Sequence, residues 1–294
     1  GELKNIKATL LTSINGQEVF DSREGSPEVD FVTVEAIPGS NRVTVTFMIP
    51  MPLMVGVKHQ PTLAMAYSGG KEIWRVNDLP KRGKYSFTVE RDQLKDTLNV
   101  FVQINADPYN PANQTVNQVA SNVIQEMDKL GLKGAERIEY AYAYVRYTTN
   151  YSHAGGRAGQ AVGALVDRDA NCWGFSAAFK AIMDQMGIPC FIAYNNQLPD
   201  DAGLKRFPMH AWNYVKYNGR WYSADTVWGY TEHIVRTEDP ALQMLQIDNI
   251  FPYLMHLHFH FMKTDQTNAQ DLKVYPQLQE IAAEPLDYLT AFSW

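Results

Sequence analysis

The chain predicts a two-part molecule, a β-sandwich followed by an α+β domain, on two observations. A hydrophobic period of two holds up to about residue 105, and a period near 3.6 takes over after Asp107-Pro108-Tyr109-Asn110-Pro111. Its 294 residues are enough for about two cores. With 26 basic against 32 acidic residues the formal charge is only -6, and no basic block of five or more residues occurs, so nucleic acid is not an expected partner. No run approaches the roughly eighteen apolar residues of a membrane span. The best of them, 47–57, is interrupted by Pro50, Pro52 and Gly56. A start at Gly1 in place of Met suggests processing, and an exported or cell-surface location is the expectation.

In the first half, Val43, Val45, Phe47 and Ile49 alternate with polar or smaller residues. So do Leu63, Met65 and Tyr67, then Tyr85, Phe87 and Val89, then Leu98, Val100, Val102 and Ile104. Pro38-Gly39-Ser40-Asn41, Ser68-Gly69-Gly70 and Lys81-Arg82-Gly83 supply turns between them. Runs at 6–11 and 31–37 bring the total to about seven short strands, the number of an immunoglobulin-like sandwich, which we assign to residues 1–106. The stretch 107–111 reads as a linker, and 107–294 as the second domain.

There, Val116, Val119, Val123, Met127 and Leu130 share one helix face that Gly131 ends, and Ile138, Ala141, Tyr142 and Val145 suit a second helix. A third begins at Cys172, carries Phe175, Phe179, Ile182, Met183 and Met186 as its apolar stripe, and stops at Gly187-Ile188-Pro189. Strands are expected at 190–194, 210–217 and 220–225, and helices followed by an antiparallel sheet make an α+β domain. Along such a helix Cys172 and Cys190, the only cysteines, lie roughly 20 Å apart. A disulfide needs its α-carbons within about 7 Å, so both thiols are expected to be free.

Asn218-Gly219 between two alternating runs is a type I′ hairpin signal. That register opposes Tyr217 to Arg220, Tyr214 to Ser223 and Trp212 to Asp225. His210, two residues before Trp212, then shares a face with Asp225, one diagonal step away at about 7 Å. Asn213 falls on the opposite face. Cys172, in the first turn of a helix, sits where unpaired N–H groups and positive potential lower a thiol pKa. A thiol nucleophile, a proton-shuttling imidazole and a carboxylate that fixes the imidazole tautomer are the parts of a Cys172-His210-Asp225 triad. Asn171, Tyr151, Trp173 and Trp212 are candidates for contacts to substrate or oxyanion.

Three segments carry a resemblance. Asn171-Cys172-Trp173-Gly174-Phe175 with Gly187-Ile188-Pro189, then His210-Ala211-Trp212-Asn213-x-Val215, then Asn218-Gly219-Arg220-Trp221-Tyr222-x-x-Asp225-x-x-Trp228 closely resemble the transglutaminase-like superfamily, over roughly residues 115–230. The resemblance implies a papain-like Cys-His-Asp core and acyl transfer through a thioester, in a superfamily of protein crosslinkers, peptidases and some inactive members. An immunoglobulin-like domain beside such a core is common among its extracellular bacterial relatives. The glycine usual two residues before the nucleophile is Ala170 here.

The expectation is a cysteine-dependent enzyme that hydrolyses amides of a peptide or protein, a cell-wall peptide being one candidate. Crosslinking transamidation is the alternative within the same chemistry, and an inactive surface-binding module the alternative outside it. No cofactor is expected: an aspartate-rich calcium loop is absent, and the glycine-rich 155–163 stretch lacks the Gly-Lys-Ser/Thr ending of a phosphate loop and reads as a mobile loop. His256, His258 and His260 alternate and would share one strand face, which makes them weak metal candidates against the plainer reading of a half-exposed strand. Cys190, His153 and the tyrosines Tyr140, Tyr142, Tyr144 and Tyr147 read as structural residues.

Overall fold

Alternation builds the first half of the computed structural model, which describes residues 3, 5–24, 30–50, 53–58, 62–79, 83–194 and 210–227. In β4 (Arg42–Met48) Val43, Val45 and Phe47 are fully buried while Arg42 is exposed, the pattern of a strand with one wet face. It pairs antiparallel with β3 (Val32–Ala36) and β8 (Lys84–Glu90) in a three-stranded sheet. The other sheet runs in the order β2 (Gln17–Asp21), β1 (Lys7–Ile14), β9 (Thr97–Ile104), β6 (Thr62–Ser68), β7 (Lys71–Val76). Its neighbours are antiparallel except β1 and β9, which are parallel.

The two sheets meet through aromatic rings. Trp74 of β7 lies flat on Phe87 of β8 with centroids 4.0 Å apart, and Phe47 meets the edge of Trp74 at 6.1 Å. Of the strands in these two sheets, β2 and β7 escaped the sequence reading. Both lie at the edges of the five-stranded sheet and carry exposed Gln17, Glu18, Lys71 and Glu72 where a half-buried strand would alternate.

Thr115 opens the helical half with reciprocal capping: its hydroxyl accepts from the Gln118 N–H at 3.2 Å, and the Gln118 side chain accepts from the Thr115 N–H at 2.8 Å. The helix α1 (Val116–Lys129) then buries Val119, Ala120, Val123 and Met127, and Gly131 takes the left-handed φ of 67° that ends it. α2 (Ala135–Thr148) is buried along most of its length, with Tyr140, Tyr142, Tyr144 and Tyr147 all inside. α3 (Cys172–Gln185) packs on α1 and α2 on one side and on β13 (Cys190–Tyr194) and β14 (Ala211–Tyr217) on the other. With β15 (Arg220–Ala224) these strands form an antiparallel sheet in the order β13, β14, β15.

The expected linker is a fastened segment. β10 (Asp107–Pro108) pairs with β5 (Val57–Lys58), the Tyr109 N–H donates to Gly56 O at 3.0 Å, and the Arg168 guanidinium donates to Tyr109 O. Its prolines signal a bend in sequence and say nothing of these partners. One cluster of buried residues accordingly runs without a break from Leu10 and Phe47 to Tyr140, Phe175 and Ile182. Among the described residues no helix is long and apolar enough to cross a membrane. His59, Trp228, His233, the row His256, His258 and His260, and the 278–294 segment lie outside the described residues.

Candidate active site

Cys172 is the first residue of α3, and the chain before it is built to expose that turn. β11 (Asn150–Tyr151) pairs in parallel with β12 (Asp169–Ala170), which delivers the backbone to Asn171. The Asn171 carboxamide oxygen caps the helix by accepting from the N–H groups of Trp173 at 3.0 Å and Gly174 at 3.3 Å. Its amide nitrogen donates to Ala154 O at 2.9 Å. Both ends of this side chain are therefore engaged in holding the turn.

Gly174 has a specific reason to lack a side chain. A Cβ there would lie 2.1 Å from the Ala158 carbonyl oxygen and 2.8 Å from the Ala170 Cβ. The same Ala158 oxygen accepts from the Asn171 N–H at 2.9 Å. The glycine-rich loop is thus seated on the start of α3, with Arg157 held to Asp167 by a two-pronged ion pair at 2.8 and 2.9 Å. Ala170, fully buried, fills the place beside Gly174.

The hairpin holds the expected register. Tyr217 opposes Arg220 and Tyr214 opposes Ser223, with φ values of 49° at Asn218 and 78° at Gly219 as a type I′ turn needs. Just beyond the paired residues, His210 Nε2 lies 2.6 Å from Asp225 Oδ2. The other carboxylate oxygen accepts from the Val227 N–H at 3.1 Å, and the Asp225 carbonyl accepts from the Tyr142 hydroxyl at 2.5 Å. Trp212 lies nearly parallel to the His210 ring, centroids 6.1 Å apart. Asn213, on the opposite face, is fully buried and donates to Ser176 O at 3.0 Å and to the Cys190 sulfur at 3.6 Å.

With Nε2 on Asp225, the ring presents Nδ1 to Cys172, whose thiol hydrogen-bonds the imidazole. Burial opposes ionisation of Cys172, and the His210 hydrogen bond, the Ala211 and Trp173 N–H groups and the imidazolium charge overcome it, so the thiol pKa falls below its ordinary value. Burial likewise opposes the charged imidazole, yet the hydrogen bonds to Asp225 and Cys172, with their charges, raise His210 to about 10. Both shifts run in the direction of a thiolate–imidazolium pair, the arrangement that a thiol nucleophile with a proton donor beside it requires. Cys190 is the contrast. Burial pushes its pKa up to about 12, and both thiols are free.

Residues 117–226 match the family model of the transglutaminase-like superfamily core. This part of the chain is a transglutaminase-like domain. Among solved structures, one described as a TGase is 13% identical, over 42% of this chain and 35% of that one, with a TM-score of 0.32. A candidate cysteine protease from Cytophaga hutchinsonii is 10% identical, over 67% of this chain and 74% of its own, with a TM-score of 0.31. The chain therefore spans about a third of the length of the first and three quarters of the second. No curated protein matches the chain.

Around the pair in the transglutaminase-like domain, Tyr151 stands beside Ala170 and packs its ring on Phe175, centroids 6.1 Å apart. Burial, then the negative charges of Cys172 and Asp225, raise its phenol pKa and keep it protonated. His153 meets the Tyr151 ring edge-on at 5.2 Å, and Trp173 packs on Tyr194 at 4.8 Å. Sequence reasoning missed two contributors. Tyr142 was one apolar position of a helix, and only the folded chain reveals its hydroxyl on the Asp225 carbonyl. The Ala211 N–H on the thiol carries no side-chain signal at all.

Proposed function

We propose that the chain is a cysteine-dependent acyl-transfer enzyme that hydrolyses amides of peptides or proteins, with Cys172, His210 and Asp225 as its triad. The observation that carries this reading is His210 held between Cys172 and Asp225 with its pKa raised to about 10. The Cys172 thiolate attacks the amide carbonyl carbon, forming a C–S bond and an oxyanion. Tyr151, a protonated phenol at the mouth of the pair, is the donor we assign to that oxyanion. The oxyanion collapses, the C–N bond breaks, and the His210 imidazolium gives its proton to the departing amine. Neutral His210 then takes a proton from water as the water attacks the thioester, releasing a carboxylic acid and restoring the pair. Asp225 keeps the ring oriented throughout, itself fixed by Val227 and Tyr142.

A cell-wall peptide remains one candidate substrate. For the first half we infer an immunoglobulin-like domain at 1–106, beside a catalytic domain at 107–294. The order β3-β4-β8 against β7-β6-β9 follows the A-B-E and C′-C-F strands of that arrangement, with β1 beside β9 in parallel where an antiparallel G strand would lie. Mass spectrometry of a peptide library incubated with the protein, with and without a primary amine, tests the reaction. Cleavage or deamidation that Cys172→Ala abolishes is expected. Amine incorporation in place of hydrolysis reassigns the acceptor, and products that persist in Cys172→Ala overturn the mechanism.

A further inference from the structure

The edge of a β-sheet carries unpaired N–H and C=O groups that template another strand unless something blunts them. In the all-β half the edge strands of the two sheets are β2, β7, β3 and β8. β2 and β7 each carry an extra residue, Val19 and Ile73, where their register with β1 and β6 slips. On the free side of β3 the Leu3 N–H lies against Val34 O. β8 has neither protection. It keeps an unbroken register with β4 over its seven residues, and no described strand pairs with its other side. Arg91 N–H donates to Asn41 O at one end of this pair and Ile49 N–H to Gly83 O at the other. Bonded and non-bonded pairs alternate along an antiparallel ladder, so the odd-numbered residues of β8 turn their backbone groups to β4. Lys84, Ser86, Thr88 and Glu90 turn theirs outward, and all four are exposed. The Gln93 side chain takes the Glu90 N–H at 3.0 Å, which ends the open edge there.

We propose that β8 pairs antiparallel with β8 of a second copy of this chain, about a twofold axis at Phe87, so that one sheet runs across both copies. Charge selects this partner and this register. With the axis at Phe87, Ser86 opposes Thr88 of the other copy and exchanges both backbone bonds with it. Lys84 then opposes Glu90, its N–H reaching the Glu90 carbonyl. The twofold repeats each contact, so the edge is complementary to itself. An axis at Ser86 would set Lys84 against Thr88, and one at Thr88 would set Glu90 against Ser86. Both lose the unlike charges that stabilise a strand pair when directly opposed. Within its own chain Glu90 meets only a loose partner, Arg42 at 3.5 Å, with both side chains about half exposed.

Sedimentation equilibrium of the full chain over a range of concentrations tests this, with a monomer–dimer equilibrium as the expected result. Lys84→Glu should weaken the dimer about tenfold, because two symmetric contacts change from unlike to like charge. Glu90→Lys should do the same, and the double exchange Lys84→Glu with Glu90→Lys should restore the wild-type association. Thr88→Pro removes an N–H that β4 does not use, a place where an edge strand tolerates proline. It should abolish the dimer while circular dichroism keeps the sheet signal. A chain that stays monomeric up to its solubility limit, leaving the edge to a different protein's strand or to nothing, would overturn the proposal. So would a dimer indifferent to Thr88→Pro, or one that the double exchange fails to restore. Cys172→Ala should leave the association unchanged, so the dimer and the proposed enzyme stand or fail separately.

Discussion

In the proposed triad, Asp225 bears on His210 directly, through a 2.6 Å contact, and on Cys172 through His210. With that carboxylate gone, burial is the main influence left on the imidazole and drives its pKa down from about 10, and the thiol loses the cation that holds it ionised. Asp225→Asn is therefore predicted to lower kcat/KM on the order of 10²–10⁴-fold and to move the alkaline limb of the pH–rate profile to lower pH. The sign is fixed by the shift: imidazolium persists up to about pH 10 in the native site, and less far in the variant. Tyr142 acts one step back. Tyr142→Phe removes its hydrogen bond to the Asp225 carbonyl, worth about 1 kcal/mol, and a pH profile should show the same alkaline shift on a smaller scale. A loss of stability with an unmoved profile would make Tyr142 a packing residue only.

Two short elements place the pair, and each rests on backbone that side chains would spoil. The start of α3 needs Gly174, because any Cβ there meets the Ala158 carbonyl at 2.1 Å. Gly174→Ala should cost about 1–3 kcal/mol in urea denaturation and slow Cys172 alkylation, as the loop lifts off the helix. Wild-type stability and labelling in that variant would show that the loop is not seated as described. The hairpin needs its two-residue turn. One glycine inserted after Gly219 slips β15 by a residue and turns Asp225 away from His210, so activity should vanish while circular dichroism keeps its sheet signal. This register was legible in the sequence because Asn218-Gly219 admits few turns. β2 and β7 were not, since edge strands with polar faces carry no alternation to read.

The shared core decides how the molecule behaves as a body. Sequence marks a boundary near Pro108, where the hydrophobic period changes, and the change of period is correct. What it cannot mark is contact across that boundary: β10 paired with β5, Arg168 on Tyr109 O, and a buried cluster that continues from Leu10 to Ile182. Such contacts join residues far apart in the chain and leave no local pattern. The prediction is a single calorimetric unfolding transition for both halves, with calorimetric and van't Hoff enthalpies equal. Two resolved transitions would mean that the core is two cores. The placement of the three candidate residues was legible for the opposite reason, since a helix start and a two-residue turn are local features that fix direction by themselves.

Burial alone does not separate the thiols, Cys172 being 6% exposed and Cys190 8%. Ionisation does, with one pKa lowered and the other pushed up to about 12. Iodoacetamide labelling followed by peptide mass spectrometry, across pH 5 to 10 and in wild type and His210→Ala, reads this directly, on the thiol range of about 8.5 as reference. Cys172 should label below that pH, Cys190 should stay unmodified, and His210→Ala should shift Cys172 labelling to higher pH. Equal and slow labelling of both cysteines, unchanged by His210→Ala, would contradict a thiolate–imidazolium pair at the head of α3.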